Sequence, residues 1–146
     1  MRFIVEETIA APIDEVFAYM ANFNNDPEWK AYCLSSETIS GDGRQGTCFE
    51  YVAKAFGRTQ RRPAVVTEFE QNAYIAFRVT DEEGGVSGWR RFARAPGGTR
   101  VTVGFEVDLP RLMGTWSKVP RFLAVRMARA DLRTVKKMIE RTAAAA

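Results

Sequence analysis

Residues 119–142 read VPRFLAVRMARADLRTVKKMIERT, and the way this stretch folds decides what the rest of the chain must do. Spaced at about 100° per residue, Arg126, Arg129, Arg133, Lys136, Lys137 and Glu140 share one face of a helix. Ala124, Met127, Ala128, Thr134, Val135 and Met138 share the other, with Leu132 and Ile139 beside them. The pattern predicts one wet face and one face laid on apolar material. Asp131 stands at the centre of the apolar stripe, where a carboxylate loses its hydration unless a partner or a water-filled space meets it. Ala124, Ala128 and Ala130 around it are short and leave room that leucine would fill. The stretch reads as the lid of a cavity.

What the lid covers is written upstream. Between Cys33 and Leu109 there is no helical period, only alternating runs: 34–40, 47–56, 58–70, 74–80, 86–95 and 99–109. Gly41-Asp42-Gly43, Gly57, Gln71-Asn72, Glu82-Glu83-Gly84-Gly85 and Pro96-Gly97-Gly98 separate them as hairpin turns, so the predicted sheet is an antiparallel meander. In the last run Val101, Val103, Phe105, Val107 and Leu109 face one side and Thr102, Gly104, Glu106 and Asp108 the other, so one face of the sheet is dry. Ahead of the meander, residues 2–10 form a first strand. Pro12 then opens a short helix with Ile13, Val16, Phe17 and Met20 buried, and Asp14 and Glu15 favour the positive end of its dipole. Asn22 to Asp26 breaks that helix. A second short turn follows at Asp26-Pro27-Glu28-Trp29, with Phe23 and Trp29 packed inward. Residues 111–118, with Met113 and Trp116, connect to the closing helix, and Ala143 to Ala146 is expected to fray.

The expectation is an α+β fold: a curved seven-stranded antiparallel sheet, two short helices and a long C-terminal helix enclosing a cavity, in a single domain over residues 1–146. A chain of 146 residues buries roughly 70% of the surface its unfolded form exposes and can accommodate a pocket. With 21 basic and 18 acidic residues the net charge of +3 describes a mixed surface, and Arg61-Arg62 and Arg90-Arg91 are isolated pairs. No nucleic-acid partner is expected. Glu6 and Glu7 interrupt any export signal, and no run reaches the roughly 18 apolar residues of a membrane helix. Cys33 and Cys48 lack metal-type spacing and read as free thiols in a reducing cytoplasm. Neither a metal nor a cofactor is expected, and nothing in the pattern speaks to oligomeric state.

Ile9-Ala10-Ala11-Pro12 with Asp14-Glu15-Val16-Phe17, then Pro27-Glu28-Trp29, Gly46-Thr47, Gly98-Thr99-Arg100-Val101-Thr102 and Leu132 to Glu140 resemble the helix-grip superfamily over nearly the whole chain. That superfamily, also called SRPBCC or START-related, includes birch-pollen allergens, START-type lipid carriers and bacterial polyketide cyclase/dehydratase-like proteins. This sequence is most similar to the last. The motifs carry fold rather than chemistry. The resemblance implies a deep apolar cavity between the concave sheet and the last helix, used for hydrophobic ligands and, in the cyclases, for folding and dehydrating polyketide chains.

The residues narrow the chemistry. The chain has no histidine, which removes Ser-His-Asp and Cys-His arrangements, ordinary zinc sites and the commonest general base near neutral pH. Gly41-Asp42-Gly43-Arg44-Gln45-Gly46 spells a dinucleotide fingerprint, yet a strand follows it where the motif needs a helix, so it is a hairpin turn. Glu68/Glu70 and Glu106/Asp108 lie two apart on strands, the second pair on the solvent face, and neither is taken as an acid/base pair. Asp131 has three readings. It forms a structural ion pair with an inward arginine, Arg78, Arg90 or Arg94; or it orients a ligand hydroxyl or accepts a proton; or a kink turns it to solvent.

Phe49, Tyr51, Phe77, Trp89, Phe92, Phe105 and Trp116 are each core-like, but together they suit a planar guest. Tyr51, Trp89 and Trp116 are the most useful at a pocket wall, because their polar tips need partners. Tyr19 and Tyr32 lie near the mouth. The expected ligand contacts are these aromatics with Trp29, Ala124, Met127 and Ala128, and Asp131 is the candidate catalytic residue. The leading expectation is a binding protein for a small hydrophobic, aromatic or polyketide/lipid-like ligand. Two others stand beside it: a polyketide cyclase/dehydratase using Asp131 with an inward arginine or Tyr51, and an interaction module using the basic face Arg126, Arg129, Arg133 and Lys137.

Overall fold

The computed structural model describes residues 1–55, 57–108 and 120–145. Strand β1 (Arg2–Ile9) is followed by helix α1 (Ile13–Met20) and a short 3-10 helix, Phe23–Glu28. Then come β2 (Cys33–Ser40), β3 (Cys48–Ala55), β4 (Arg58–Glu70), β5 (Tyr74–Val79), β6 (Val86–Ala95), β7 (Gly98–Val107) and the long helix α2 (Arg121–Ala145). All seven strands form one antiparallel sheet in the order β1-β7-β6-β5-β4-β3-β2. Strands β2 to β7 are a meander. β1 breaks the sequence by pairing with β7, from Arg2↔Glu106 to Ile9↔Thr99, so α1 and the 3-10 helix carry the chain from one edge of the sheet to the other.

The elements form where turn chemistry and alternation place them. In α1 the buried residues are Ile13, Val16, Phe17 and Met20, and Pro12, which has no side chain able to cap, supplies the extended entry. The Gly41 to Gly46 segment is a β2–β3 loop, with Gly41, Gly43 and Gly46 at positive φ and the Thr47 hydroxyl accepting the Gly43 N–H at 2.8 Å. In β7, Val101, Val103 and Val107 are buried and Glu106 is exposed. A Cβ on Gly104 would lie 2.2 Å from the Trp89 ring, which occupies that space on the sheet's outer face.

Helix α2 lies along β1. Lys136 Nζ donates to the Thr8 carbonyl at 2.7 Å and Arg121 Nε to the Arg2 carbonyl at 3.2 Å. Ala124, Asp131, Leu132, Val135 and Ile139 are its buried residues. Three expectations on this helix are corrected. Thr134 is exposed and bonds back to the Ala130 carbonyl at 3.0 Å; Ala130 is itself exposed; and Lys136 is half-buried, paired with Glu140 at 2.8 Å. The helix also runs on through Ala143 to Ala145 instead of fraying, since alanine is the strongest helix former. The expected connector 111–118 with Met113, and the proposed end of the last strand at Leu109-Pro110, lie outside the described residues. Among the described residues, no helix is long and apolar enough to cross a membrane.

Candidate functional site

The concave face of the sheet and the underside of α2 enclose a mostly apolar cavity of about 100 Å³. Its walls are rings. Phe23 and Phe49 stack with centroids 4.6 Å apart, Phe49 meets Phe77 at 5.9 Å and Tyr51 at 6.4 Å, and Phe3 stacks on Phe105 at 5.5 Å. A Cβ on Gly88 would meet the Phe77 ring at 2.8 Å, so glycine at that register position is what lets the ring lie against β6. Ala124, Met127, Ala128 and Leu132 form the ceiling on α2.

Of the residues expected at the site, Trp29, Phe49, Tyr51, Phe77, Phe105, Ala124, Met127, Ala128 and Asp131 line this cavity. Two do not. Trp89 points outward, stacked on Tyr74 at 6.1 Å with the Arg91 guanidinium 4.9 Å from its ring, because the inward parity of β6 belongs to Gly88, Arg90 and Phe92. Phe92 points inward but is consumed by the core, edge-on to Phe17 at 5.1 Å. Trp116 lies outside the described residues. Tyr32 lines the cavity, whereas Tyr19 is bonded to Glu28 at 3.1 Å, away from it, its phenol pushed up to about 12 by burial and by that carboxylate.

Asp131 is buried at the cavity wall, and its Oδ1 accepts the Ala31 N–H at 3.1 Å. Its predicted arginine partner is a correction. Arg78 and Arg94 are exposed, and the inward arginine, Arg90, is given to another acid. Arg90 is 2% exposed and grips Asp26 with both arms at 2.6 and 3.0 Å, its remaining reach going to the Met20 carbonyl. Its guanidinium lies 4.6 Å from the Phe23 ring and 5.0 Å from Trp29. This clamp joins the 3-10 helix to the middle of the sheet and so fixes the cavity's end wall. Burial holds the Asp131 carboxyl above the ordinary range, opposed by the Ala31 N–H and by the charge on Lys30.

That shift has a sign. With a folded pKa above the unfolded one, the carboxyl favours the native state fully below its unfolded pKa, and the advantage is lost as pH rises through the folded value. Asp131→Asn keeps an acceptor for the Ala31 N–H and removes the titration. The variant is expected to have a higher urea midpoint than the parent at pH 7 and the same midpoint near pH 3. Equal midpoints at both pH values would mean that the carboxylate pays nothing for its position.

Sequence reasoning missed the charged residues here. Lys30 is 7% exposed and lines the cavity, with Nζ 3.4 Å from Asp26 Oδ2 and near the rings of Phe105 (4.9 Å), Tyr32 (5.4 Å) and Trp29 (5.6 Å). Arg62, also buried and lining, is held by Asp81 at 2.6 and 2.9 Å and by the Gly84 carbonyl at 2.8 Å. The available signal was Asp26 and Lys30 four apart, one between Phe23 and Trp29 and the other directly after Trp29, charges in a segment that the aromatics pull inward.

The family described as Polyketide cyclase / dehydrase and lipid transport matches residues 2–146. The chain belongs to this family. Among solved structures it is similar to TTHA0849 of Thermus thermophilus, with 20% identity, 95% of this chain and 97% of that one covered, and a TM-score of 0.75. It is also similar to the di-domain ARO/CYC StfQ of the steffimycin biosynthetic pathway, at 16% identity and TM-score 0.74. There 98% of this chain covers 51% of StfQ, about half its length. Ara h 8.0201 matches at 17% identity over 100% of this chain and 99% of its own, with a TM-score of 0.65. No curated protein sequence matches. At these identities the likeness establishes the helix-grip fold, as expected from the sequence, and the family supports a small-molecule cavity.

Proposed function

We propose that this protein binds a small hydrophobic, aromatic or polyketide/lipid-like molecule beneath α2. The observation that carries this is the ring-lined hollow itself, since native interiors otherwise close-pack and leave few voids larger than a water. Its volume of about 100 Å³ is below the roughly 150 Å³ of an apolar cavity that admits benzene, so even a single-ring guest enters only with some yielding of the walls. Anything larger needs α2 or the rings to yield further. Trp29, Phe49, Tyr51, Phe77, Phe105, Ala124, Met127 and Ala128 would make the contacts, and apolar burial at about 25 cal/mol per Å² would supply most of the affinity before entropic costs. Free Cys33 and Cys48 fit a protein that works in the reducing cytoplasm.

Native mass spectrometry of the purified protein, with titration of the neutral probe 4-chloroacetophenone, tests the reading. A co-purified apolar guest, or saturable binding of the ketone that shifts Phe49 and Phe77 resonances, is expected. An empty protein that binds no ketone would end it.

A second reading is favoured by one observation, the desolvated Asp131 carboxyl at the cavity wall. A desolvated carboxyl, its pKa raised by burial, can give and take protons in a cyclisation or dehydration, with Tyr51 or Arg62 near the developing oxyanion. Asp131→Asn is then expected to abolish turnover while changing ketone affinity by less than tenfold, about 1.4 kcal/mol. Unchanged turnover removes Asp131 from any mechanism.

A further inference from the structure

We infer that the guest carries an anionic oxygen group, a carboxylate in the first instance, seated against Lys30, Trp29 Nε1 and Ser36 Oγ at the end of the cavity beside the Asp26–Arg90 clamp. This rests on the binding reading above and specifies its ligand.

Asp26 faces two cations, Arg90 at 2.6 Å through a two-armed contact and Lys30 at a looser 3.4 Å. One carboxylate cannot balance both. The other acid at this wall, Asp131, makes its hydrogen bond to the Ala31 N–H, and among the described residues it forms no ion pair. Lys30 is therefore the loosely held cation of this end wall, in a region where a poorly paired ion is costly. Burial accordingly drags the Lys30 ammonium down, with the attraction of Asp26 pulling the other way. An incoming anion removes that cost.

Unused donors point the same way. Trp29 Nε1 and Ser36 Oγ are buried atoms without a hydrogen-bond partner, on residues that are 5% and 7% exposed and line the cavity. Buried donors are paired in native structures with few exceptions, and each exception needs a reason. Here an indole N–H, which can only donate, a hydroxyl and an ammonium border one hollow. A carboxylate, with two oxygens and about four lone-pair sites, accepts from all three. A neutral hydrocarbon would leave the indole N–H and the hydroxyl unpaired. The ring contacts at 4.9–5.6 Å hold the Lys30 head in place without consuming its donors.

The test compares 4-chlorobenzoate with 4-chloroacetophenone, which replaces one carboxylate oxygen by a methyl group and removes the charge. Each is titrated into the full chain and followed by NMR. The acid is expected to bind at least tenfold more tightly than the ketone. Lys30→Met is expected to erase that preference, weakening the acid at least tenfold and leaving the ketone within threefold. Trp29→Phe and Ser36→Ala, which keep shape and remove a donor, are each expected to weaken the acid about three- to tenfold. They carry the test if Lys30→Met does not fold. A parent that binds the ketone as tightly as the acid, or a Lys30→Met variant that retains the preference, overturns this inference and leaves the apolar-guest reading standing. A parent that binds neither overturns both.

Discussion

Arg90→Ala is expected to lower folding stability by about 3–5 kcal/mol, seen as a fall in the urea midpoint with an unchanged slope. The size follows from where the pair sits. Arg90 and Asp26 have side chains 2% and 8% exposed, and truncating Arg90 leaves the Asp26 carboxylate away from water with only the looser Lys30 contact at 3.4 Å. The exposed Arg2–Glu106 pair, at 75% and 58%, offers the contrast: Arg2→Ala should cost less than about 1 kcal/mol, because both ends are solvated before and after. Replacing all three buried charges, as Asp26→Asn with Arg90→Met and Lys30→Met, is expected to recover part of the loss, since none of them is then buried alone. A loss under about 1 kcal/mol for Arg90→Ala would show that water reaches Asp26, and the end wall of the cavity would have to be redrawn.

The second large effect is on binding. Ala128 sits in the ceiling of a hollow of about 100 Å³, and leucine there adds three carbon atoms pointing at the ring-lined floor. Ala128→Leu is expected to weaken 4-chloroacetophenone on the order of 100-fold, about 2.7 kcal/mol, by occupying the guest's volume. Stability should change far less, because the added side chain fills space that was empty instead of displacing packed atoms, and overpacking penalties of about 1–3 kcal/mol arise only where no room exists. Chemical denaturation and ketone titration on the same preparation separate the two. A destabilisation larger than the loss of affinity would mean that the ceiling already touches the floor.

How much of this could be read in advance depended on the kind of signal. Strands β4 and β6 begin and end at the residues expected, because glycine turns and alternation are local and each strand carries its own boundary markers. Asp131 was legible for the same reason: an acid on an apolar helical stripe is a conflict visible within one turn. Trp89 was misjudged because β6 has an aromatic and an arginine of each parity, Trp89 and Arg91 against Phe92 and Arg90. Only the register Trp89↔Gly104 tells which set faces out, and register is a property of two strands. Lys30 and Asp26 were read past because charged side chains are ordinarily solvated. Asp26 is held inside by Arg90, 64 positions away in the chain, and Lys30 by Asp26 in turn, and no local pattern announces the arginine.

The pairing of β1 with β7, with α2 laid along β1, also governs how the molecule can be made. Arg2 waits for Glu106, and the Thr8 carbonyl waits for Lys136. A ribosome must therefore release the chain through Glu106 before the first contact can form and through Lys136 before the second. In that interval the aromatic floor faces water with no roof, and a nascent chain stalled before residue 120 presents it to any neighbour. Any demand this protein makes on chaperones should fall in the interval between emergence of the sheet and emergence of α2.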